Sequence, residues 1–235
     1  MTLLKVCGIT TPEDAAAVLE TGADFIGAVH YPKSPRHLTA EQIKPLLAAV
    51  KPFHQKRGQN SVLVIADSAI EDIVKLLDEV ETEHFFNCVQ IHREITDTEL
   101  YRIKTLIKQR TKFHTGIIRV IRSMSEAERL LNEKDIIANP LYYLLELSHG
   151  NLPGGNGKEW DWSLAKEFCR KFPTLLAGGI TPDNVLEVIR QAEPLGVDLS
   201  SGVESSPGKK DIEKVREIVI KLTSHNNPSP QSQGI

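Results

Sequence analysis

The most informative stretch of the chain is residues 175–204, LLAGGITPDNVLEVIRQAEPLGVDLSSGVE. Two short apolar runs, Leu175–Ala177 and Val197–Leu199, flank a segment of helical periodicity, Pro182–Gln191. A strand, a helix and a second strand in this order are typical of a βαβ unit, whose two strands are parallel. Small residues follow each strand directly, Gly178-Gly179 after the first and Ser200-Ser201-Gly202 after the second.

The same alternation extends through most of the chain. Further apolar, β-branched runs predict strands at Leu3–Cys7, Phe25–Val29, Val62–Ala66, Cys88–Ile91, Ile117–Ile121 and Tyr142–Leu145. Further segments of helical periodicity predict helices at Pro12–Glu20, Ala40–Val50, Ile70–Val80, Asp97–Lys108, Glu126–Asn132, Trp162–Lys171 and Lys210–Leu222. Eight units of about 28 residues each favour a single (β/α)8 TIM barrel, an α/β fold, over an open sheet.

We therefore predict one barrel domain over residues 1–222 and a disordered polar tail over residues 223–235. A chain of 235 residues suits one domain, since domains average roughly 150 residues. The tail is rich in Pro, Ser and Asn, a composition that buries little apolar surface. Two helix starts carry a Thr-Pro pair, Thr11-Pro12 and Thr181-Pro182, which predicts threonine as the N-cap in both.

Composition narrows the function classes. The chain has 28 Lys and Arg against 31 Asp and Glu, so it lacks the basic excess typical of nucleic-acid binding. No apolar run approaches the roughly 18 residues that span a bilayer. Three cysteines without a CxxC pair predict a reducing, cytoplasmic setting, and no metal-binding motif is present. We expect a small-molecule partner, without metal, membrane or nucleic acid.

In a barrel of this kind, chemistry lies where the strands end and the βα loops begin. The loops after the seventh and eighth strands commonly bind phosphate, because glycine lets the backbone approach a ligand and helix N-termini present free N–H groups. Gly178, Gly179, Ser201 and Gly202 are therefore candidate phosphate contacts. These glycines also fit the simpler interpretation that they only form tight turns.

Other strand ends carry candidate acid–base groups. Cys7 ends the first strand, where a thiol near positive charge would ionise and act as a base. Glu146 follows the sixth strand, where apolar walls would raise its pKa and suit it to general acid catalysis. Arg36, on the loop after the second strand, has the planar guanidinium that binds a carboxylate. An inert thiol, a surface glutamate and a solvated arginine are the structural alternatives.

Taken together, these segments resemble the phosphoribosylanthranilate isomerase family. The matches span Lys5 to Asp211, nearly the whole chain. The segments are KVCGIT (5–10), GADFIG (22–27), YPKSPR (31–36), VQIH (89–92), GGNG (154–157) with DW (161–162), LAGGI (176–180), DLSSGVE (198–204) and PGKKD (207–211).

The resemblance implies a cofactor-free Amadori rearrangement of N-(5-phosphoribosyl)anthranilate to 1-(2-carboxyphenylamino)-1-deoxyribulose 5-phosphate, a step of tryptophan biosynthesis. Cys7 matches the general base of the family, and Arg36 matches the residue that meets the anthranilate carboxylate. The resemblance also places substrate contacts at Gln90, His92 and Gly155, and a phosphate cradle at the four loop residues: Gly178, Gly179, Ser201 and Gly202.

Four residues depart from the family pattern. Glu146 stands where the family has its acid, an aspartate, and the extra methylene shifts the carboxyl by roughly 1 Å, a displacement that can cost on the order of 100-fold. Arg93, His30 and Asn156 are further departures. Three hypotheses therefore stay open: this isomerase, a relative acting on another phosphosugar, and a non-catalytic protein that binds a phosphorylated metabolite. Monomer and homodimer are both compatible with the sequence.

Overall fold

The computed structural model describes residues 1–57, 60–80, 86–110, 115–133, 139–147 and 161–226. Eight parallel strands close into a barrel in sequence order. The strands are β1 (Leu3–Cys7), β2 (Phe25–His30), β3 (Asn60–Ile65), β4 (Cys88–Ile91), β5 (Gly116–Ile121), β6 (Tyr142–Leu145), β7 (Thr174–Leu176) and β8 (Gly196–Leu199). The predicted single (β/α)8 barrel is therefore confirmed.

Helices cover the outside of the barrel. They are α1 (Pro12–Thr21), α2 (Ala40–Arg57), α3 (Ile70–Val80), α4 (Asp97–Arg110), α5 (Met124–Asn132), α6 (Lys166–Lys171), α7 (Val185–Ala192) and α8 (Ile212–Asn226). A 3₁₀ turn, Trp162–Ala165, leads into α6, and a short hairpin, β9 (Glu204–Ser206) with β10 (Lys209–Lys210), precedes α8.

Two helix starts illustrate how local chemistry decides a boundary. The Thr11 side chain accepts a hydrogen bond from the Asp14 N–H at 3.1 Å, so Thr11 is the predicted N-cap of α1. The matching prediction for Thr181 is wrong, because α7 begins only at Val185. There the Asn184 side chain accepts from the Thr181 N–H at 2.8 Å and donates to the Gly179 carbonyl at 2.9 Å, which binds the preceding loop instead.

Two helices, α2 and α8, extend further toward the C-terminus than the sequence predicts. Helix α2 continues past Val50 to Arg57, with Pro45 and Pro52 inside it. Helix α8 continues to Asn226, so residues 223–226, assigned to the tail from sequence, are helical. The buried faces of α8 explain the extension, because Leu222 still packs into the core at the predicted boundary. The rest of the tail lies outside the described residues.

Apolar side chains form two cores. The larger one lies between the strands and the surrounding helices. The smaller one fills the barrel interior and includes Val64, Val120 and Leu144. Because successive side chains of a strand alternate between these two cores, every second residue of each strand faces the barrel axis. The buried polar residues Lys5 and Gln90 interrupt this apolar interior and belong to the candidate site described below.

Candidate active site

A buried ion pair lies across the seam between β1 and β8. Lys5 and Asp198 are register partners, and the Lys5 Nζ atom lies 2.8 Å from the Asp198 Oδ2 atom. Lys5 is fully buried and Asp198 is nearly so. Burial disfavours the ammonium, but the Asp198 carboxylate and the Cys7 sulfur raise the pKa of Lys5 above its ordinary value. A fixed positive charge therefore lies inside the mouth of the barrel.

Cys7 lies next to this charge, two residues beyond Lys5 on the same face of β1. Gly27 on β2 makes room for both, because a Cβ there would lie 2.9 Å from the Cys7 Sγ atom and 3.3 Å from the Lys5 Nζ atom. Desolvation nevertheless raises the pKa of the Cys7 thiol, outweighing the opposing influence of Lys5 and Lys210. Burial therefore disfavours the thiolate at Cys7 and outweighs the ionisation that the nearby positive charge favours.

Glu146 lies on the opposite side of the mouth, at the end of β6. Its Oε2 atom lies 3.4 Å from the His92 Nε2 atom, and the His92 Nδ1 atom lies 3.2 Å from the Gln90 amide nitrogen. The Gln90 amide is a donor, so this geometry assigns the ring proton of His92 to Nε2, facing Glu146. A hydrogen-bonded row therefore runs from Gln90 through His92 to the carboxyl group.

Burial acts on both partners of the His92–Glu146 contact, and in each it disfavours the charged form. Burial and the nearby cations Arg122 and Lys5 lower the pKa of His92 to about 4. Burial raises the pKa of the Glu146 carboxyl above its ordinary value, although Arg122 and Lys5 oppose the rise. A carboxyl group with a raised pKa retains its proton closer to neutral pH, which is the property of a general acid.

Arg36 is fixed by a bidentate contact. Its Nε and one terminal nitrogen donate to the two Glu204 carboxylate oxygens, each at 2.7 Å. Lys210 also donates to Glu204 at 2.7 Å. Gly8, at φ +78°, leaves the space that the Arg36 side chain occupies, since a Cβ there would lie 2.3 Å from the Arg36 Cδ atom. Two cations around one carboxylate leave one net positive charge for an anionic ligand.

The predicted phosphate loops lie side by side. A Cβ on Gly202 would lie 2.0 Å from the Ile180 carbonyl oxygen, so the loop after β8 packs directly on the loop after β7. Gly178 and Gly179 both have positive φ, +95° and +69°, which glycine adopts without steric cost. Ser201 and Gly202 form the first turn of a 3₁₀ segment, Ser201–Val203. The two loops present adjacent backbone near the start of α7.

The four departures from the family pattern fall in different places. Arg93 turns toward Glu99, with an N–O distance of 3.2 Å, and so is held at the start of α4. The His30 ring contacts the Leu38 carbonyl at 2.8 Å through Nδ1, which ties down the loop after β2. Glu146 lies in the site. Gly155 and Asn156 lie outside the described residues.

Sequence reasoning left several site residues unassigned: Lys5, Asp198, Glu204 and Lys210. Lys5 carried a usable signal, because it lies two positions before Cys7 and must share its face of the strand. Asp198 interrupts an otherwise apolar strand, which is a second signal. Glu204 and Lys210 lie in quoted motifs, but their contact with Arg36 depends on the closure of the barrel.

The described residues contain neither a membrane-spanning helix nor a cluster of metal-ligating side chains. No helix in this part of the chain is long and apolar enough to cross a membrane. No group of three His, Cys, Asp or Glu side chains among these residues is placed to hold a metal ion. The expected absence of a metal and of a cofactor stays a prediction.

The fold and the site define a (β/α)8-barrel protein with a cluster of buried ionisable side chains and two adjacent glycine-containing loops at the carboxyl ends of its strands. The family model for N-(5'-phosphoribosyl)anthranilate isomerase matches residues 4–221. The chain belongs to this family.

Individual relatives agree with the assignment. N-(5'-phosphoribosyl)anthranilate isomerase from Trichormus variabilis is 36% identical over 233 residues, covering 95% of this chain and 99% of the relative. The crystal structure of the Thermotoga maritima isomerase superposes with a TM-score of 0.76 at 30% identity, covering 95% of this chain and all of that one. A second structure, of an isomerase in complex with reduced 1-(o-carboxyphenylamino)-1-deoxyribulose 5-phosphate, gives a TM-score of 0.73 at 30% identity, covering 95% of this chain and all of that one.

Proposed function

We infer that this chain catalyses the family reaction, the Amadori rearrangement of N-(5-phosphoribosyl)anthranilate to 1-(2-carboxyphenylamino)-1-deoxyribulose 5-phosphate. Membership of the family over nearly the whole chain supports the activity. The assignment of roles to individual residues depends mainly on one observation. Glu146 and Cys7 both lie at the mouth of the barrel, and the charge of Lys5 acts on both.

Substrate binding follows from the two anionic ends of the substrate. The loops at Gly178-Gly179 and Ser201-Gly202 would hold the phosphate through backbone N–H groups and the start of α7. Arg36 would meet the anthranilate carboxylate, because Glu204 occupies one edge of its guanidinium and leaves the remaining N–H groups free to donate. Holding both ends fixes the ribose between Cys7 and Glu146.

Proton transfer would then proceed in two stages. Protonated Glu146 donates to the furanose ring oxygen, so the C1′–O bond breaks and a Schiff base forms at the anthranilate nitrogen. Once the Cys7 thiol has released its own proton to solvent, the resulting thiolate removes the C2′ proton, giving an enol-amine that tautomerises to the ketone. Lys5 would support the second stage, because its ammonium stabilises the thiolate that must form before the proton is taken.

His92 and Gln90 would hold the acid in place. Glutamate is longer than aspartate by one methylene, so its carboxyl group has an additional torsion to restrict. The contact of His92 with Glu146 restricts that torsion, and the Gln90 amide fixes the orientation of the imidazole. Glu146 is buried against His92 rather than turned to a surface cation, which supports the enzyme over the binding-only hypothesis.

No described feature favours a different phosphosugar. The loop contact of Gly155, the monomeric or dimeric state and the cytoplasmic location stay predictions.

The functional test compares wild type with three variants, Cys7→Ser, Glu146→Gln and Glu146→Asp, on freshly generated phosphoribosylanthranilate. We expect turnover in wild type and its loss in Cys7→Ser and Glu146→Gln. Turnover in Glu146→Asp alone would show that the scaffold is intact but that Glu146 does not serve as the acid.

A further inference from the structure

Arg122 is a neighbour of the acid that the mechanism above does not use. Strands β5 and β6 pair in register through Val120 with Leu144 and Ile121 with Leu145. The Glu146 N–H donates to the Ile121 carbonyl at 3.0 Å, which extends the ladder one step further. Arg122 therefore lies beside Glu146 on the adjacent strand end.

The two side chains also share a face. Val120 and Leu144 both belong to the core inside the barrel. Because side chains alternate along a strand, Arg122 and Glu146, each two residues further on, are directed to the same interior face. The next residue, Ser123, is the N-cap of α5, with its Oγ atom accepting from Glu126 at 3.3 Å. The backbone at Arg122 is thus held between a strand end and a helix start.

Arg122 is not committed to another partner among the described residues. The neighbouring arginines, in contrast, each form a salt bridge with a glutamate. The pairs are Arg119 with Glu126, Arg93 with Glu99, and Arg129 with Glu133. Within the described part of the chain, no carboxylate lies within 4.0 Å of the Arg122 guanidinium. Its charge nevertheless lowers the pKa of both Glu146 and His92, which favours the ionised carboxylate and the neutral imidazole.

We propose that Arg122 is a positioning residue for the general acid, a guanidinium that balances the negative charge left on Glu146 after it gives up its proton. This inference rests on the proposed role of Glu146. Burial alone makes the carboxyl reluctant to release its proton, and Arg122 offsets that reluctance at the moment of transfer. Together with burial, the same charge favours neutral His92, so that the Nδ1 atom stays an acceptor for the Gln90 amide while Nε2 donates to the carboxylate.

Several groups face Glu146 and must be considered in any pH dependence. Arg122 approaches from β5 and His92 from β4, while β7 contributes only Ala177 and the following glycines. The more distant groups, on β1 and β8, are Lys5, Cys7 and Asp198. Of the cations, only Arg122 lacks a carboxylate partner among the described residues, since Lys5 is paired with Asp198. Removal of Arg122 therefore isolates its effect on the acid.

The test is a titration of Glu146 followed by NMR in protein labelled with ¹³C at the glutamate side-chain carboxyl. The signal is assigned by its loss in Glu146→Gln. In Arg122→Gln we expect the titration midpoint of Glu146 to rise by about one pH unit or more, because a nearby opposite charge typically lowers a carboxyl pKa by about 1–3 units. Arg122→Lys keeps the charge and should restore most of the shift. Arg129→Gln, an exposed arginine on α5, is the matched control and should leave the midpoint unchanged.

Turnover gives the second measurement. The limb of the pH–rate profile that Glu146 controls should move to higher pH by the same amount in Arg122→Gln. An unmoved midpoint in Arg122→Gln, or an equal shift in Arg129→Gln, overturns the inference. Because the titration needs no substrate, it decides the role of Arg122 even if wild type fails to turn over phosphoribosylanthranilate, a failure that would refute the proposed function instead.

Discussion

Lys5→Met removes the cation of the buried pair while keeping a long, unbranched side chain of similar volume. The Asp198 Oδ2 atom then loses its contact at 2.8 Å with Lys5, and the Oδ1 atom already has no hydrogen-bond partner among the described residues. The carboxylate would be left inside the barrel without a counter-charge. Breaking one side of a buried ion pair costs about 3–5 kcal/mol of unfolding free energy.

For a domain of this size, each kcal/mol lowers Tm by roughly 2–4 °C, so the variant should melt roughly 6–20 °C below wild type. The second variant, Lys5→Met with Asp198→Asn, removes both charges. It should recover at least about 2 kcal/mol, because what remains is an amide that lacks partners rather than a buried charge. Lys75→Met, an exposed lysine on α3, is the matched control and should change the unfolding free energy by less than about 0.5 kcal/mol.

The assay is urea-induced unfolding at neutral pH, followed by circular dichroism. It compares wild type with Lys5→Met, Asp198→Asn, the double variant and the Lys75→Met control. The double-mutant cycle isolates the interaction between Lys5 and Asp198 from the effects of each substitution alone. A cost below about 1 kcal/mol for Lys5→Met, or a double variant no more stable than Lys5→Met, would refute the argument that this pair is a desolvated ion pair.

Three further predictions address the site. Glu146→Gln should raise Tm at neutral pH, because burial raises the pKa of the Glu146 carboxyl, so its stabilising contribution is lost as pH rises through its folded pKa, whereas an amide has no such loss. An unchanged or lower Tm in thermal unfolding would contradict this. Gly202→Ala should raise KM roughly tenfold or more with a smaller change in kcat, because its Cβ would clash with the Ile180 carbonyl oxygen and displace the proposed phosphate loop. An unchanged KM in steady-state kinetics would contradict the proposal that this loop binds the phosphate. The pKa of the Cys7 thiol, measured from its alkylation rate against pH, should lie above the ordinary value of about 8.5 and should be higher still in Lys5→Met. A pKa below that value would show that the nearby positive charge outweighs burial.

The fold was predictable because its signals are local. Each strand is a short β-branched run bounded by polar or small residues, and three of the eight strands have the predicted bounds, among them β4 at Cys88–Ile91. The misplaced start of α7 shows where local signals fail. Thr181-Pro182 satisfies the rules for a helix start, but Asn184 uses its side chain to hold the preceding loop, so the helix begins later.

The site was predictable in part. Strand ends locate Cys7 and Glu146 at one end of a barrel, since all eight strands run parallel. The partner of Arg36 was not predictable, because Glu204 lies 168 positions further along the chain and meets it only through barrel closure. The protonation state of Cys7 was also beyond local reasoning: it depends on the balance between desolvation and the charge of Lys5, and that balance is set by packing.

The most direct test of the account is the loss of phosphoribosylanthranilate fluorescence on addition of purified wild type, with Cys7→Ser and Glu146→Gln measured in parallel. We predict rapid loss of fluorescence with wild type and a rate reduced by at least roughly 100-fold in each variant, as expected when a positioned acid or base is removed. Equal rates in wild type and Glu146→Gln would contradict the assignment of Glu146 as the acid, and no turnover in wild type would contradict the proposed activity itself.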